Sequence, residues 1–421
     1  MRLPAFLSHL SPARITGHIT GRITGRKPAR GLALCALLLT SLNQPARAAD
    51  LPCGGSFENF LQAFKTQAVA QGYETRQVSR FLASARHSPS VIKADRAQGV
   101  FKKSFTDFAR AVISQNRMDN GRRFAAKYAA VFDRIEREYG VSRGVLLAFW
   151  ALETDYGQVQ GNFNTLNALL TLSQDCRRPE LFQPQLFAAL ELYERGDFDP
   201  ATTTGAWAGE IGMVQMLPRD ILENGVDGDG DGRVSLKTSV PDALMSGAKM
   251  LTKLGWNRNE PWLQEINLPA DLDWSKTGLE RKSSVSSWVR AGVSARTGTL
   301  AEGSTQASVL LPMGRDGPAF IAYRNFDVFF EWNQSFTYVT TAAYFATRLT
   351  GAPVFNARTP TPSLSDAQMK SLQRKLEGRG YDVGKIDGIL GARTRAAVRA
   401  EQLRLGLPAD AWPTTGLLGQ L

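Results

Sequence analysis

One carboxylate stands out in this chain. Glu153 sits in Leu147-Ala148-Phe149-Trp150-Ala151-Leu152-Glu153-Thr154-Asp155-Tyr156-Gly157, at the end of an otherwise apolar helical run. Apolar surroundings disfavour the charged form, which suits a glutamate to give up a proton as a general acid. A surface glutamate pairing at a helix end is the plain alternative. Asp155, two residues on, points to another helix face and is not an obvious catalytic partner.

Three further segments carry candidate chemistry. Residues 205–218 (GAWAGEIGMVQMLP) place Gly205, Gly209 and Gly212 near Trp207 and Gln215. Such glycines permit close backbone approach or positive φ. Trp207 offers an apolar face with a polar edge, so the segment could line a saccharide groove or be a structural turn. It matches neither a Walker A loop nor a Rossmann fingerprint. Residues 331–338 (EWNQSFTY) gather Trp332, Asn333, Ser335 and Tyr338. Rings that cover a sugar face, beside amides and hydroxyls, make a sugar-site composition; a helix start with core aromatics has the same one.

Asp227-Gly228-Asp229-Gly230-Asp231-Gly232-Arg233-Val234-Ser235 follows the first nine positions of an EF-hand loop. Carboxylates fall at positions 1, 3 and 5, glycine at 6, and the Arg233 carbonyl at 7. Three carboxylates this close repel unless a hard cation neutralises them, so the spacing favours Ca²⁺ over a solvated acidic turn. Position 12 is Thr238 rather than glutamate, and Asp242 closes the site if the chain folds back.

Helices must position these residues. Phe57, Phe60, Leu61 and Phe64 recur at i, i+3, i+4, i+7, which predicts an amphipathic helix over 56–70. Further helices are expected over 122–138, 142–156, 180–195 and 240–254. Period-2 alternation is best at 308–312 followed by 319–323, so the body reads as mainly α. Residues 351–365 hold three prolines and several Ser/Thr, a linker composition, and 366–421 form a small second unit.

The whole chain has 421 residues, 50 Lys+Arg, 39 Asp+Glu, 3 His and 3 Cys, a formal charge of +11. Residues 1–48 hold seven of the basic residues and no acidic one, a 12-residue apolar run from Gly31 to Leu42, and Ala46-Arg47-Ala48. That is a secretory signal, and twelve apolar residues are too few to span a bilayer. Cleavage after Ala48 leaves 43 basic and 39 acidic residues, a net of +4. Nucleic-acid binding therefore ranks last. Only His87 remains, which excludes multi-histidine sites. Cys53 and Cys176 remain as a pair, expected as a disulfide in an exported protein, with two buried thiols as the alternative.

Taken in order, the segments ALETDYG, CRRPELF, GAWAGEIGMVQMLP, VDGDGDGRVSL and RNFDVFFEWNQSFTY resemble the membrane-bound lytic transglycosylase B family of murein-degrading enzymes. The resemblance implies a mainly α, lysozyme-like catalytic domain over 49–350 with an EF-hand-like calcium loop. It implies Glu153 as single acid and base, Gln215, Asn333 and Tyr338 on glycan-contacting positions, and Asp227, Asp229, Asp231 and Asp242 on the calcium loop. The chain departs from the pattern at Ala206, often Ser in the family, and at Trp332, often Tyr. The tail resembles a three-helix peptidoglycan-binding domain through Leu372-Gln373, Gly380-Tyr381, Asp387-Gly388, Thr394 and Ala397-Val398, with Glu401 where Phe is usual. The implied enzyme is a monomer of the Gram-negative periplasm, associated with the outer membrane. It acts on peptidoglycan glycan strands, with structural Ca²⁺ and no organic cofactor. A hydrolytic muramidase and a non-catalytic wall-binding protein are the alternatives.

Overall fold

The computed structural model describes residues 51–97 and 103–421. The leader expected over 1–48 lies outside the described residues. Among those described, no helix is long and apolar enough to cross a membrane.

The helix Arg143–Thr154 runs through the middle of the main core, with every residue from Gly144 to Leu152 buried. Ser142 caps it by accepting the Gly144 amide. It packs along the helix Phe336–Leu349. The approach is close at Gly144, where a Cβ would lie 2.7 Å from the Ala346 carbonyl oxygen. The helix expected over 122–138 is two helices, Gln115–Lys127 and Ala129–Tyr139. The break falls at Tyr128 (φ −109°, ψ 28°), whose ring sits edge-on to Trp150. The stripe Phe57, Phe60, Leu61 and Phe64 lies on the helix Phe57–Ala70, with Phe60 and Phe64 fully buried.

Between residues 263 and 323 the chain forms an antiparallel sheet with its own apolar core. The strand order is Lys282–Ser284, Gln306–Leu310, Phe320–Tyr323, Leu263–Asn267, Ser294–Ala295. The strands Gln306–Leu310 and Phe320–Tyr323 fall on the alternating segments, paired Ala307 to Tyr323 through Leu310 to Phe320. The other three are two to five residues long and rich in Ser, Asn and Gln. They lack the apolar alternation that marks a half-buried strand.

The C-terminal unit comprises Asp366–Gly378, Ala392–Arg404 and Thr415–Gln420. Leu372, Leu376, Ala397, Val398 and Leu417 form its core. Buried Gln373 ties the intervening loop together, accepting the Gly388 amide and donating to the Ile389 carbonyl. Glu401 does not leave this unit with a bare charge. Its carboxylate accepts from Arg404 at 2.8 Å, with Arg379 and the Tyr381 hydroxyl alongside.

Residues 351–365 lie strapped against the body. The Asn356 amide bonds Glu265, Arg296 bonds the Val354 carbonyl, Arg358 bonds the carbonyls of Arg315 and Gly317, and the Phe355 ring is buried against Phe105 and Tyr344. Cys53 and Cys176 form a disulfide spanning 123 residues of sequence.

Candidate active site

Glu153 stands in the last turn of the helix Arg143–Thr154, half-buried where the apolar core meets the surface. Two donors converge on one of its oxygens. The Tyr338 hydroxyl donates to Glu153 Oε1 at 2.6 Å, and the Trp332 indole Nε1 donates to the same atom at 3.0 Å. Both donors come from one corner of the chain. Trp332 ends the helix Arg324–Trp332, and Tyr338 lies in the first turn of Phe336–Leu349. Asn333 and Ser335 build the corner: the Asn333 side-chain Oδ1 accepts the Ser335 amide at 2.9 Å, and Ser335 caps the second helix.

The Trp332 ring is 4% exposed and stacks on Phe149 with centroids 4.3 Å apart. Its apolar face is therefore covered, and its role here is to donate to Glu153. Trp207 is 2% exposed inside the main core. It has no open face for a sugar, which corrects the groove-lining expectation for this residue. A tryptophan in sequence does not declare which side its ring will turn. A buried indole N–H usually finds a partner, and for Trp332 the structure supplies Glu153.

Beyond Glu153 the chain turns sharply. Asp155, Tyr156 and Gly157 all have positive φ, at 51°, 59° and 84°. A bulky tyrosine in the left-handed region is strained, so its surroundings must hold it. The Tyr156 hydroxyl donates to the Arg117 carbonyl at 2.8 Å, and its ring packs on Phe124 and Trp150. Burial raises the pKa of this phenol. Asp155 is paired with Arg117 Nε at 2.8 Å.

The glycine-rich segment is bound to the same helix end. Thr154 Oγ1 donates to the Met213 carbonyl at 2.7 Å. The next turn needs glycine at 212: φ is +80°, and a Cβ would sit 2.5 Å from the Leu236 carbonyl oxygen. Gln215 follows at φ 52° and is buried. Its amide nitrogen donates to the Gly212 carbonyl at 2.7 Å and the Gln160 carbonyl at 3.3 Å. Gln160 in turn donates to the carbonyls of Gly157 and Lys237. Lys237 donates to the Thr204 carbonyl, and burial lowers its pKa. Sequence spacing carries no sign of Arg117, Thr154, Gln160 or Lys237, whose bonds to Asp155, Met213, Lys237 and Thr204 join segments 33 to 77 residues apart.

The acidic loop folds back as its composition requires. Carboxylate oxygens of Asp227, Asp229 and Asp242 lie within 4.8 Å of one another. Asp242 is buried in the first turn of the helix Val240–Lys253 and accepts amides from Gly228 and Ser235 at 2.9 and 2.7 Å. Asp227 accepts the amides of Gly232 and Gly230, which lowers its pKa. Asp231 lies outside this cluster of three, its carboxylate accepting the Arg233 amide at 2.9 Å. Thr238 bonds the Ser235 hydroxyl instead of closing the loop. The donor set is all oxygen and carries three negative charges, which fits a hard cation such as Ca²⁺.

A helical body with a hydrogen-bonded glutamate ending its central helix, joined to a small three-helix unit, agrees with comparison to known proteins. The transglycosylase SLT domain model matches residues 56–347, and a peptidoglycan binding domain model matches 365–421. The chain belongs to the SLT transglycosylase family: it is a lytic transglycosylase acting on peptidoglycan, with a lysozyme-like fold and a C-terminal peptidoglycan-binding domain. It is similar to SltB3 from Pseudomonas aeruginosa, solved in complex with NAG-anhNAM-pentapeptide, at 35% identity and a TM-score of 0.80, covering 87% of this chain and 99% of that one. It is also similar to membrane-bound lytic murein transglycosylase B of Escherichia coli strain K12, 27% identical over 253 residues, or 57% of this chain and 69% of that protein. The Escherichia coli lytic transglycosylase Slt35, solved in complex with calcium, is 27% identical with a TM-score of 0.61, covering 71% of this chain and 96% of that one.

Proposed function

We propose that Glu153 is the single acid and base of this enzyme. The observation that carries this is the convergence of Tyr338 and Trp332 on Glu153 Oε1. Two donors on one oxygen hold the carboxyl in place, and Oε2 is read as the oxygen that carries the mobile proton. That proton goes to the oxygen bridging N-acetylmuramic acid C1 and N-acetylglucosamine C4, and the C1–O bond breaks. The substrate's 2-acetamido group stabilises the positive charge at C1, a substrate-assisted route that needs no second enzyme carboxylate. The Glu153 carboxylate then takes the proton from the muramyl C6 hydroxyl as its oxygen bonds C1. The ring closes to a 1,6-anhydromuramyl end, no water enters, and Glu153 is again protonated.

Gln215 and Asn333 are read as glycan contacts. For Gln215 the two carbonyls on its amide nitrogen support this, because they turn its oxygen into the acceptor available to a sugar hydroxyl or N-acetyl N–H. Asp227, Asp229 and Asp242 are read as a structural Ca²⁺ site, with the carbonyl of Arg233 and the outlying Asp231 as further oxygen donors; the ion would cancel their mutual repulsion. The calcium complex of Slt35 supports this reading. The basic leader with its Ala-x-Ala end and the disulfide support export to the periplasm, and the membrane-bound relative supports association with the outer membrane. Domain limits of 49–350, 351–365 and 366–421 follow the change of composition.

Mass spectrometry of muropeptides released from purified sacculi tests the reaction. Transglycosylation leaves muramyl ends lighter by one water than a hydrolytic muramidase does. Hydrated ends alone would overturn the reading, and no release at all would favour a wall-binding protein.

A further inference from the structure

The C-terminal unit meets the catalytic body through an arginine that serves neither its own core nor its surface. Arg395, on the helix Ala392–Arg404, donates to the Pro312 carbonyl at 2.8 Å. Its guanidinium lies 4.9 Å from the centroid of the Phe336 ring and 5.8 Å from that of Trp412. Its Nε is buried without a hydrogen-bond partner. Burial, with the neighbouring charge of Arg399, lowers its pKa to about 10. A buried guanidinium with an unmet N–H is a costly placement, and such exceptions call for a reason.

Phe336 supplies one. It is the first residue of the helix that carries Tyr338, two residues before the hydroxyl bound to Glu153. Its other ring neighbour is Phe330 on the helix that ends in Trp332. Arg395 therefore presses on the corner that delivers both donors to Glu153. The rest of the contact holds Arg395 in register. Asp410 of the C-terminal unit accepts the Arg315 amide at 3.0 Å, and Trp412 donates to the Thr361 carbonyl at 3.0 Å. Arg399 sits against Gly278, where a Cβ would lie 2.4 Å from its guanidinium.

We infer that Arg395 is a positioning residue for the reaction: by bracing Phe336 and Pro312 it fixes the Trp332–Tyr338 corner on Glu153, so the C-terminal unit sustains turnover as well as holding the wall. This rests on the reading of Glu153 as the acid. A tether that only raises local substrate concentration would leave turnover of soluble substrate untouched. A brace acts on the chemical step, where small displacements of an acid cost large factors in rate.

The test uses the full chain and soluble glycan oligomers of alternating N-acetylglucosamine and N-acetylmuramic acid, with sacculus pull-down and thermal unfolding alongside. Arg395→Ala should lower kcat by up to about 100-fold, the scale of a small misplacement, with KM and sacculus binding little changed. Phe336→Leu should do the same, and the double variant should add little to either single change, as expected for two residues in one contact. Should Arg395→Ala fail to fold, Phe336→Leu carries the test alone. Unchanged kcat on soluble oligomers, or fully additive losses, would overturn the inference. Glu153→Gln run in parallel separates the two readings. If that variant still cleaves, the acid assignment falls; if it is inactive while Arg395→Ala and Phe336→Leu turn over normally, the brace alone falls.

Discussion

The Tyr338 hydroxyl donates to Glu153 Oε1 at 2.6 Å across 185 residues of sequence. A hydroxyl bonded to a carboxylate is among the stronger hydrogen bonds of a protein. Tyr338→Phe should lower kcat about 100- to 1,000-fold, the range of one lost electrostatic contact at a reacting group. Trp332→Phe should cost less, because the longer indole bond goes while the stacking on Phe149 survives. Steady-state kinetics on soluble glycan oligomers checks the order.

Glu153→Gln keeps the shape of the side chain and removes its acid and base functions. Release of anhydro-muropeptides should fall on the order of 10³-fold, within the span of general acid–base catalysis. Thermal unfolding should move little. Activity near that of the parent protein would rule this glutamate out.

Calcium added after chelation should raise the melting temperature. Ligand at a hundred times its Kd stabilises by about 2.7 kcal/mol when it binds only the folded state. Asp242→Asn should abolish the rise, since this buried carboxylate holds both ends of the loop through Gly228 and Ser235. Asp231→Asn should reduce it less. Differential scanning calorimetry of the three proteins decides.

Acid should loosen the C-terminal unit through Glu401. Its hydrogen bond from Arg404, then that from the Tyr381 hydroxyl, hold its folded pKa below the ordinary 4.5. A lowered pKa means the unfolded chain binds the proton first. The stabilisation is therefore complete above pH 4.5 and is lost as pH falls through the lower folded value. Glu401→Gln should flatten that acid limb. Thermal melts between about pH 3 and 6, bracketing the ordinary carboxylate range, read the difference.

Much of this was legible because certain residues speak through their neighbours. Phe57, Phe60 and Phe64 set a helix by spacing alone. Glu153 was visible as the polar end of an apolar run, and Asp227 and Asp229 as carboxylates too close to stand without compensation. Asp242 could be tied to them only on condition that the chain returned, which it does. What stayed hidden depended on partners far away in sequence. The helix break falls at Tyr128, whose ring meets Trp150, and the strands at 263–267, 282–284 and 294–295 are short and polar. Trp207 and Trp332 were both credible sugar platforms by type. Only packing shows one sealed in the core and the other facing Phe149.

The strap from residue 351 to 365 changes what a proline- and serine-rich stretch signifies here. A protease seeking a hinge between the two units would meet bonds already immobilised by Glu265, Arg296 and Arg358. Proteins with slack tethers shed their wall-binding modules in a digest. This chain has the build of one that stays whole, so its catalytic and wall-binding functions would persist or be lost as a unit.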